Sequence, residues 1–436
     1  VVTVPFSETE NSRASADAED LALSARLDAL FSLRGPERAM KLGLDRVRGA
    51  LEALGSPERR HPALLVAGTN GKGSTTLYLT GALLEGGYSV ATYLSPHLYD
   101  ARERFLHDLE PIEAECLETV ANEVKPVADR FELTWFEHAT VTFLLWASRL
   151  PVDFIVVEVG MGGRLDATNV LDPVATCLTN VGLDHQQFLG NTVEAILEEK
   201  LGVVKEESLL FTGIDAPDLC ARVQARCDAL DAIYYYASEL PMDVERVDWT
   251  GQRIRVSGVP FELACPSPGA ALNARLAFLC LRIAIPKLSF EAIQRGFARV
   301  RNPARFETVA HHPRVVVSGD HNPDGIADLL ATFARFGEEA PRPHVIAGFS
   351  PDRPFAELLD KLAPIARTLR LVPVPGRETL PPGYAERPEF RSDANAALAA
   401  LLREAAQDDV VLVTGSLYLA GALRRRFRSS VCFQDR

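Results

Sequence analysis

Residues 63–74 read ALLVAGTNGKGS, five apolar residues that run straight into a glycine-rich loop and then into the helical pattern TTLYLTGALLE. A strand that passes through such a loop into a helix is the context a phosphate-binding loop requires. Glycines let backbone N–H groups curl around phosphate oxygens, and the helix N-terminus adds positive potential. Thr69, Asn70, Gly71, Lys72, Gly73 and Ser74 are therefore the candidate nucleotide contacts. Lys72 is the mobile point charge for the terminal phosphates, and Ser74 offers a hydroxyl near a metal. Gly73 stands between lysine and serine, which departs from the ordinary Walker loop. The plainer alternative, a glycine-rich turn with an exposed lysine, does not explain the strand and helix on either side.

Outward from that loop, strands alternate with helices, the rhythm of a layered α/β fold with a mostly parallel sheet. Helices are expected over 21–33, 39–54, 112–127, 138–150 and 192–204, and strands over 88–94, 153–159 and 174–179. Between 242 and 265 polar and apolar residues alternate around Gly251 and Gly258, which predicts small antiparallel strands. Helices follow over 272–284 and 290–300. The α/β rhythm then resumes beyond the proline-bearing segment VRNPARFE, a plausible hinge. The expected architecture is a P-loop sheet domain over 21–299, with an insert at about 242–265, followed by a smaller Rossmann-like α/β domain over 300–436. Residues 1–20 read as a frayed tail.

The totals restrict function. At 436 residues the chain suits two cores better than one. A net charge of −13 argues against a nucleic-acid binder, which needs a basic face for phosphates. The seven cysteines are scattered, odd in number and never spaced C-x-x-C, so they read as reduced thiols of a cytoplasmic protein rather than disulfides or a zinc site. No apolar run of about twenty residues predicts a membrane span. The N-terminus lacks the basic-then-apolar order of a signal peptide. A monomer is expected.

Further polar residues fall at strand ends. Glu158 closes the apolar run DFIVVEV, where open α/β sheets place ligands and where magnesium would find a hard oxygen. The loop GMGGRLDATN (160–169) permits close backbone approach and offers Arg164 and Asp166. His185, in the turn after the strand at 174–179, is evenly balanced between ligand and packed histidine. Lys200, in LEEK, reads on chemistry alone as a solvated helix lysine.

Together these pieces resemble the Mur ligase family, and within it the folylpolyglutamate synthase/dihydrofolate synthase branch. The resemblance rests on KLGLDRVRGALEALG, VAGTNGKGST, TYLSPHL, Glu103-Arg104, LTWFEHAT, EVGMGGRLDATN, NVGLDHQQFLGNT, EEKLGVVK, HNPDGI and VTGSLYLAGALRR, in family order from residue 40 to 427. Peptidoglycan ligases of the family share the phosphate loop but lack GGRLDATN. The resemblance implies ATP, magnesium at one or two sites, and L-glutamate added to a folate or dihydropteroate. It implies Ser95, Glu158 and His185 as magnesium ligands, and Lys200 as a carbamylated lysine serving a second metal. Asn273, Arg305 and Asp320 would contact the nucleotide. Thr134, Trp135, Phe136, Glu137, Leu165, Asp166 and Ala167 would hold the pterin. Catalysis would fall to Lys72, His185, Lys200 and His321, the last as a charge or hydrogen-bond donor at phosphoryl transfer.

Departures from the pattern lie at the nucleotide side. The family's usual DGAHNP reads Ser318-Gly319-Asp320-His321-Asn322-Pro323, so the acid has moved next to the histidine. The usual His-Gln before Asn273 reads Ala270-Ala271, and the usual DKD reads Asp352-Arg353-Pro354. Two rival readings follow: a Mur-type ligase for another carboxylate, and a nucleotide-gated binding protein without turnover. GGRLDATN and TWFE oppose the first; intact Lys72, Glu158, His185 and Lys200 oppose the second.

Overall fold

The computed structural model describes residues 21–32, 43–337, 340–377 and 379–427. The tail expected over 1–20 and the first residues of the helix expected over 39–54 lie outside them.

Helix α1 (21–31) and α2 (Asp45–Ala53) precede β1 (Ala63–Ala67), the phosphate-loop strand, and α3 (Lys72–Glu85). Then come β2 (Val90–Tyr93), β3 (Phe105–His107), β4 (Glu110–Pro111), α4 (Ala114–Arg130) and α5 (Trp135–Ala147). They are followed by β5 (Phe154–Glu158), β6 (Ala175–Leu178), α6 (Gln186–Leu189), α7 (Val193–Leu201), β7 (Leu209–Thr212), α8 (Pro217–Asp228) and β8 (Ile233–Tyr236). The eight strands form one sheet in the order β4-β3-β2-β5-β1-β6-β7-β8. From β2 to β8 every pairing is parallel; β3 and β4 add an antiparallel edge. The pleat sends Ala63, Leu65 and Ala67 of β1 into one core and Leu64 and Val66 into another. A strand buried on both faces reads as a continuous apolar run, which is why ALLVA was recognisable.

Strands β9 (Met242–Asp248), β10 (Gly251–Val256) and β11 (Val259–Leu263) make a separate antiparallel sheet, as the alternation at 242–265 predicts. Helices α9 (Pro268–Ala284) and α10 (Phe290–Arg299) follow. A second sheet, β12-β13-β16-β14-β15, uses β12 (Glu307–His311), β13 (Arg314–Val317), β14 (His344–Ala347), β15 (Thr368–Leu371) and β16 (Val410–Thr414). Between these strands run α11 (Pro323–Ala334), α12 (Phe355–Leu362) and α13 (Ala394–Glu404), and α14 (Leu417–Arg424) ends the described chain with a short 3₁₀ turn. All pairings are parallel except β12 with β13. Because the two large sheets draw on residues before 237 and after 306, we place a two-domain boundary near residue 300.

In both sheets the loops leaving the carboxyl ends of central strands converge. From the first come 68–74 after β1, 159–169 after β5 and 179–185 after β6. From the second come 318–322 after β13, 348–353 after β14 and 415–418 after β16. These loops line a single cleft of ≈ 1380 Å³, the position open α/β sheets favour for ligands.

Candidate active site

The loop 68–74 owes its shape to two glycines. Gly68 has φ +149°, and a Cβ there would lie 1.8 Å from Thr179 Oγ1. Gly71 has φ +80°, and a Cβ would lie 2.3 Å from Asn273 Oδ1. L side chains rarely adopt either conformation, and a Cβ at either position would have to displace its neighbour. Neighbouring polar groups then fasten the loop: Asn180 Oδ1 accepts the Asn70 N–H at 2.9 Å, and the Thr179 hydroxyl donates to Asn70 O at 2.7 Å. The Thr69 hydroxyl is bound by the Gly182 N–H at 3.0 Å, and Asn302 Nδ2 donates to Ser74 Oγ at 2.9 Å. Lys72 curls back, its ammonium 3.2 Å from Gly68 O and 3.1 Å from Thr69 O.

Behind the loop sits Lys200, 3% exposed, with Nζ 2.8 Å from Gly68 O. The solvated helix lysine that bare chemistry suggests is thus overturned. Burial, with the Lys72 ammonium nearby, pushes its amine down to about 7. It lies outside the lining of the cleft.

Glu158 ends β5 inside the cleft, 4% exposed, and its Oε2 accepts the Ser95 N–H at 2.9 Å. Burial pushes its carboxyl upward, against the pull of Lys72. His185, with φ +50° at the start of α6, lines the same cleft, and burial pushes its imidazole down. Among the described residues no three His, Cys, Asp or Glu gather into a metal cage. A magnesium ion completing its shell from phosphates and water needs only one or two protein groups. Glu158, Ser95 and His185 offer lone pairs of that kind on the cleft lining; an ammonium at Lys200 carries none.

Asp184 joins the two walls. Its Oδ1 is paired with Arg353 and accepts the His185 N–H; its Oδ2 accepts Asn322 Nδ2 at 3.0 Å. Burial works to raise this carboxyl, and Arg353 with His185 and His321 more than offsets it, holding it well below the usual carboxylate range. Asn322 also exchanges hydrogen bonds with the Asn70 side chain at 3.0 and 3.2 Å while capping α11.

On the second wall His321 Nδ1 lies 2.8 Å from Gly319 O. A carbonyl only accepts, so Nδ1 carries the proton. Burial and Arg353 push the ring down to about 4, so it is neutral near pH 7 and Nε2 holds a lone pair. With the Nδ1 proton committed to Gly319 O, Nε2 lies 3.9 Å from Asp184 Oδ2. Asp320 is reached by the Ser318 hydroxyl at 2.6 Å, and burial pushes its carboxyl up to about 6. Ser318, standing where the resemblance leads one to expect an acid, is thereby hydrogen-bonded to Asp320. Arg305 and Asn273 line the cleft.

The pterin-side residues divide. Thr134, Phe136, Glu137, Leu165, Asp166 and Ala167 line the cleft; Trp135 does not. Its indole is 2% exposed, packs on Phe31 at 5.1 Å and lies under the Arg104 guanidinium at 4.6 Å, so it belongs to the core. Thr134 and Glu137 form a capping box at the start of α5, and Glu137 pairs with Arg46 at 2.7 Å. Asp166 Oδ2 accepts Met161 N–H, and Oδ1 accepts the N–H and hydroxyl of Thr168, which fixes the 160–169 loop. Sequence reasoning missed Asn322, Asn302 and Arg353 as parts of the site. It also missed Phe188 and Leu272, apolar side chains 41% and 47% exposed on the cleft lining, where a ligand would cover them.

Comparison with known proteins bears on the family and the fold. Residues 304–417 match the family described as Mur ligase, glutamate ligase domain. The chain is 33% identical to the folylpolyglutamate synthase of Lacticaseibacillus casei over 87% of its own length and 93% of the relative's. It is 31% identical to the dihydrofolate synthase/folylpolyglutamate synthase of Escherichia coli, over 87% and 90%. An FPGS–AMPPCP–folate complex superposes with TM-score 0.80 at 29% identity, covering 94% of this chain and 98% of that one. The Mycobacterium tuberculosis folylpolyglutamate synthase complexed with ADP and AMPPCP gives 0.83 at 26%, covering 94% and 99%. The chain belongs to the Mur ligase family, in its folylpolyglutamate synthase branch.

Proposed function

We propose that the protein uses ATP to add L-glutamate to the carboxylate of a folate through an acyl phosphate, and that dihydropteroate is a second acceptor. The observation that carries the reading is the cleft itself, where a phosphate loop beside Glu158 and His185 faces His321, Arg353 and Arg305. The relatives' names and the folate-bound structure support the same substrates, and the dual names of several support the second acceptor.

In this reading the terminal phosphoryl of ATP passes to the acceptor carboxylate, leaving ADP and a mixed anhydride. The amine of glutamate then attacks the carbonyl carbon, phosphate departs, and the amine gives up a proton. Loop N–H groups and Lys72 hold the phosphates, and positioning with electrostatics supplies most of the acceleration. Lys72 exchanges its two carbonyl partners for phosphate oxygens, which bind an ammonium more strongly. The His321 Nε2 lone pair can take the amine's proton. Magnesium, when bound at Glu158, Ser95 and His185, would neutralise developing charge on the phosphates. Enclosure between the walls keeps water from the anhydride.

Lys200 has the chemistry carbamylation requires. An amine near 7 is partly neutral at physiological pH, and its nitrogen can bond to carbon dioxide with loss of a proton. The product would replace a cation repelling Lys72 with an anion attracting it. Carbon-13-labelled bicarbonate should give a carbamate NMR signal that strengthens as pH rises through 7 and is absent from Lys200→Met.

The deciding experiment supplies the pure protein with ATP, magnesium and L-glutamate, plus tetrahydrofolate or dihydropteroate, and weighs the products. Each acceptor should gain glutamate, with phosphate released only when acceptor and amino acid are both present. Phosphate release without either substrate would overturn the ligase reading, and a product from tetrahydrofolate alone would remove the second acceptor.

A further inference from the structure

The small sheet β9–β11 does not end in solvent at its tip. Trp249, in the β9–β10 turn, stacks on Phe336 with ring centroids 4.1 Å apart, lies 6.2 Å from Phe306 and meets Phe333 edge-on at 5.9 Å. The Arg314 guanidinium covers the indole at 4.8 Å. A hairpin turn is a place for glycine, asparagine or aspartate, and an indole there gains only if something receives it. All four of these partners lie beyond residue 305, whereas the hairpin precedes the proposed boundary. Two further bonds join the same regions: Arg335 donates to Pro266 O at 2.7 Å, and Asp328 accepts the Gly269 N–H at 2.7 Å.

Phe306 directly follows Arg305. Ala304 has φ +56° and Phe306 φ +48°, left-handed conformations that are costly outside glycine and persist only where the surroundings enforce them. The surroundings here are the Ser318 hydroxyl, which accepts Phe306 N–H at 3.0 Å, the Gly319 N–H on Ala304 O at 2.8 Å, and the Trp249 ring.

We infer that Trp249 is a positioning residue for the nucleotide end of the cleft: stacked on Phe306 and Phe336, it fixes the connection at 300–306 and so the place of Arg305. This rests on the reading that the cleft takes ATP.

The test compares Trp249→Leu, Phe336→Leu, their double variant and Trp249→Phe. Leucine keeps the site apolar, and phenylalanine keeps a ring. The measurements are KM for ATP, KM for tetrahydrofolate, the thermal midpoint and ADP affinity by calorimetry. Trp249→Leu should raise KM for ATP and weaken ADP about tenfold, with KM for tetrahydrofolate changed less than about twofold. Trp249→Phe should recover most of the loss. The double variant should be no worse than the poorer single one, because the two rings act as one unit. An unchanged KM for ATP in Trp249→Leu, additive effects in the double, or both KM values moving together with the thermal midpoint would each overturn the assignment. A wild-type protein that binds no ADP would instead sink the functional reading.

Discussion

The loop at 68–74 shapes one wall of the cleft with main chain, whereas residues 305–353 shape the facing wall with side chains. On the first, Gly68 and Gly71 hold conformations that strain any other residue, and Thr179, Asn180 and Asn302 tie the turn in place. On the second, Asp320 and His321 share one loop and Arg353 comes from another, and each is held by a neighbour: Ser318, Gly319 and Asp184 respectively. A main-chain wall presents fixed donors to any phosphate tail. A side-chain wall can be altered residue by residue, and the departures that the resemblance marks at Ser318, Asp320 and Arg353 fall there. Binding geometry is thus concentrated on one side, and adjustment on the other.

If that contrast is right, the largest loss should come from the one mobile cation on the fixed wall. Lys72→Met should lower turnover by about a thousandfold or more, since it removes charge stabilisation at the transferred phosphoryl. Folding should be untouched, because Lys72 is bonded only to carbonyls of its own loop. Phosphate release and circular dichroism measure the two halves of that statement. Retention of a tenth of the activity would show that the loop shapes the cleft without gripping the terminal phosphate.

A smaller loss should follow from cutting the joint between the walls. Asp184→Asn keeps size but removes the charge that holds Arg353, while the amide can still meet Asn322. Turnover should fall by some tens of times, the scale of one lost charged hydrogen bond. A change confined to stability would mean that the joint is structural only. The sign with pH is fixed by the same pairing. The Asp184 carboxyl is held below its ordinary value, so the stability it contributes is present above about pH 4 and is lost as the pH falls further. Acid denaturation of the wild type and Asp184→Asn should therefore converge at low pH.

The same contrast separates what was legible in the sequence from what was not. ALLVA and FIVVE were readable because strands buried on both faces are unbroken apolar runs, and the glycine loop was readable because its steric demands are local. The strands at Phe105–His107 and Glu110–Pro111 are too short to show a period, and Ile233–Tyr236 is an edge strand with a mixed face. Asp184 meets Asn322 and Arg353 across 138 and 169 positions of chain. No periodicity carries such a pairing, so the second wall could be named only by resemblance. His321 shows the cost: its identity was read, but its proton depends on a carbonyl two residues away.

The pterin end supplies the smallest effect and the sharpest test of which residues serve the fold. LTWFEHAT entered as a substrate segment, yet Thr134 and Glu137 are spaced as a helix start, with Glu137 Oε2 accepting the Thr134 N–H at 2.8 Å. Trp135 faces the core. Glu137→Gln keeps an acceptor for that N–H but removes the negative charge that the half-buried Arg46 meets at 2.7 Å. We expect a stability loss of about 1–3 kcal/mol by chemical denaturation, the scale of turning a charge-assisted hydrogen bond into a neutral one. Turnover at saturating folate should stay within about twofold, because a cap acts through the helix rather than on the reacting atoms. A large rise in KM for tetrahydrofolate with stability intact would return Glu137 to the substrate and make this stretch a recognition surface after all.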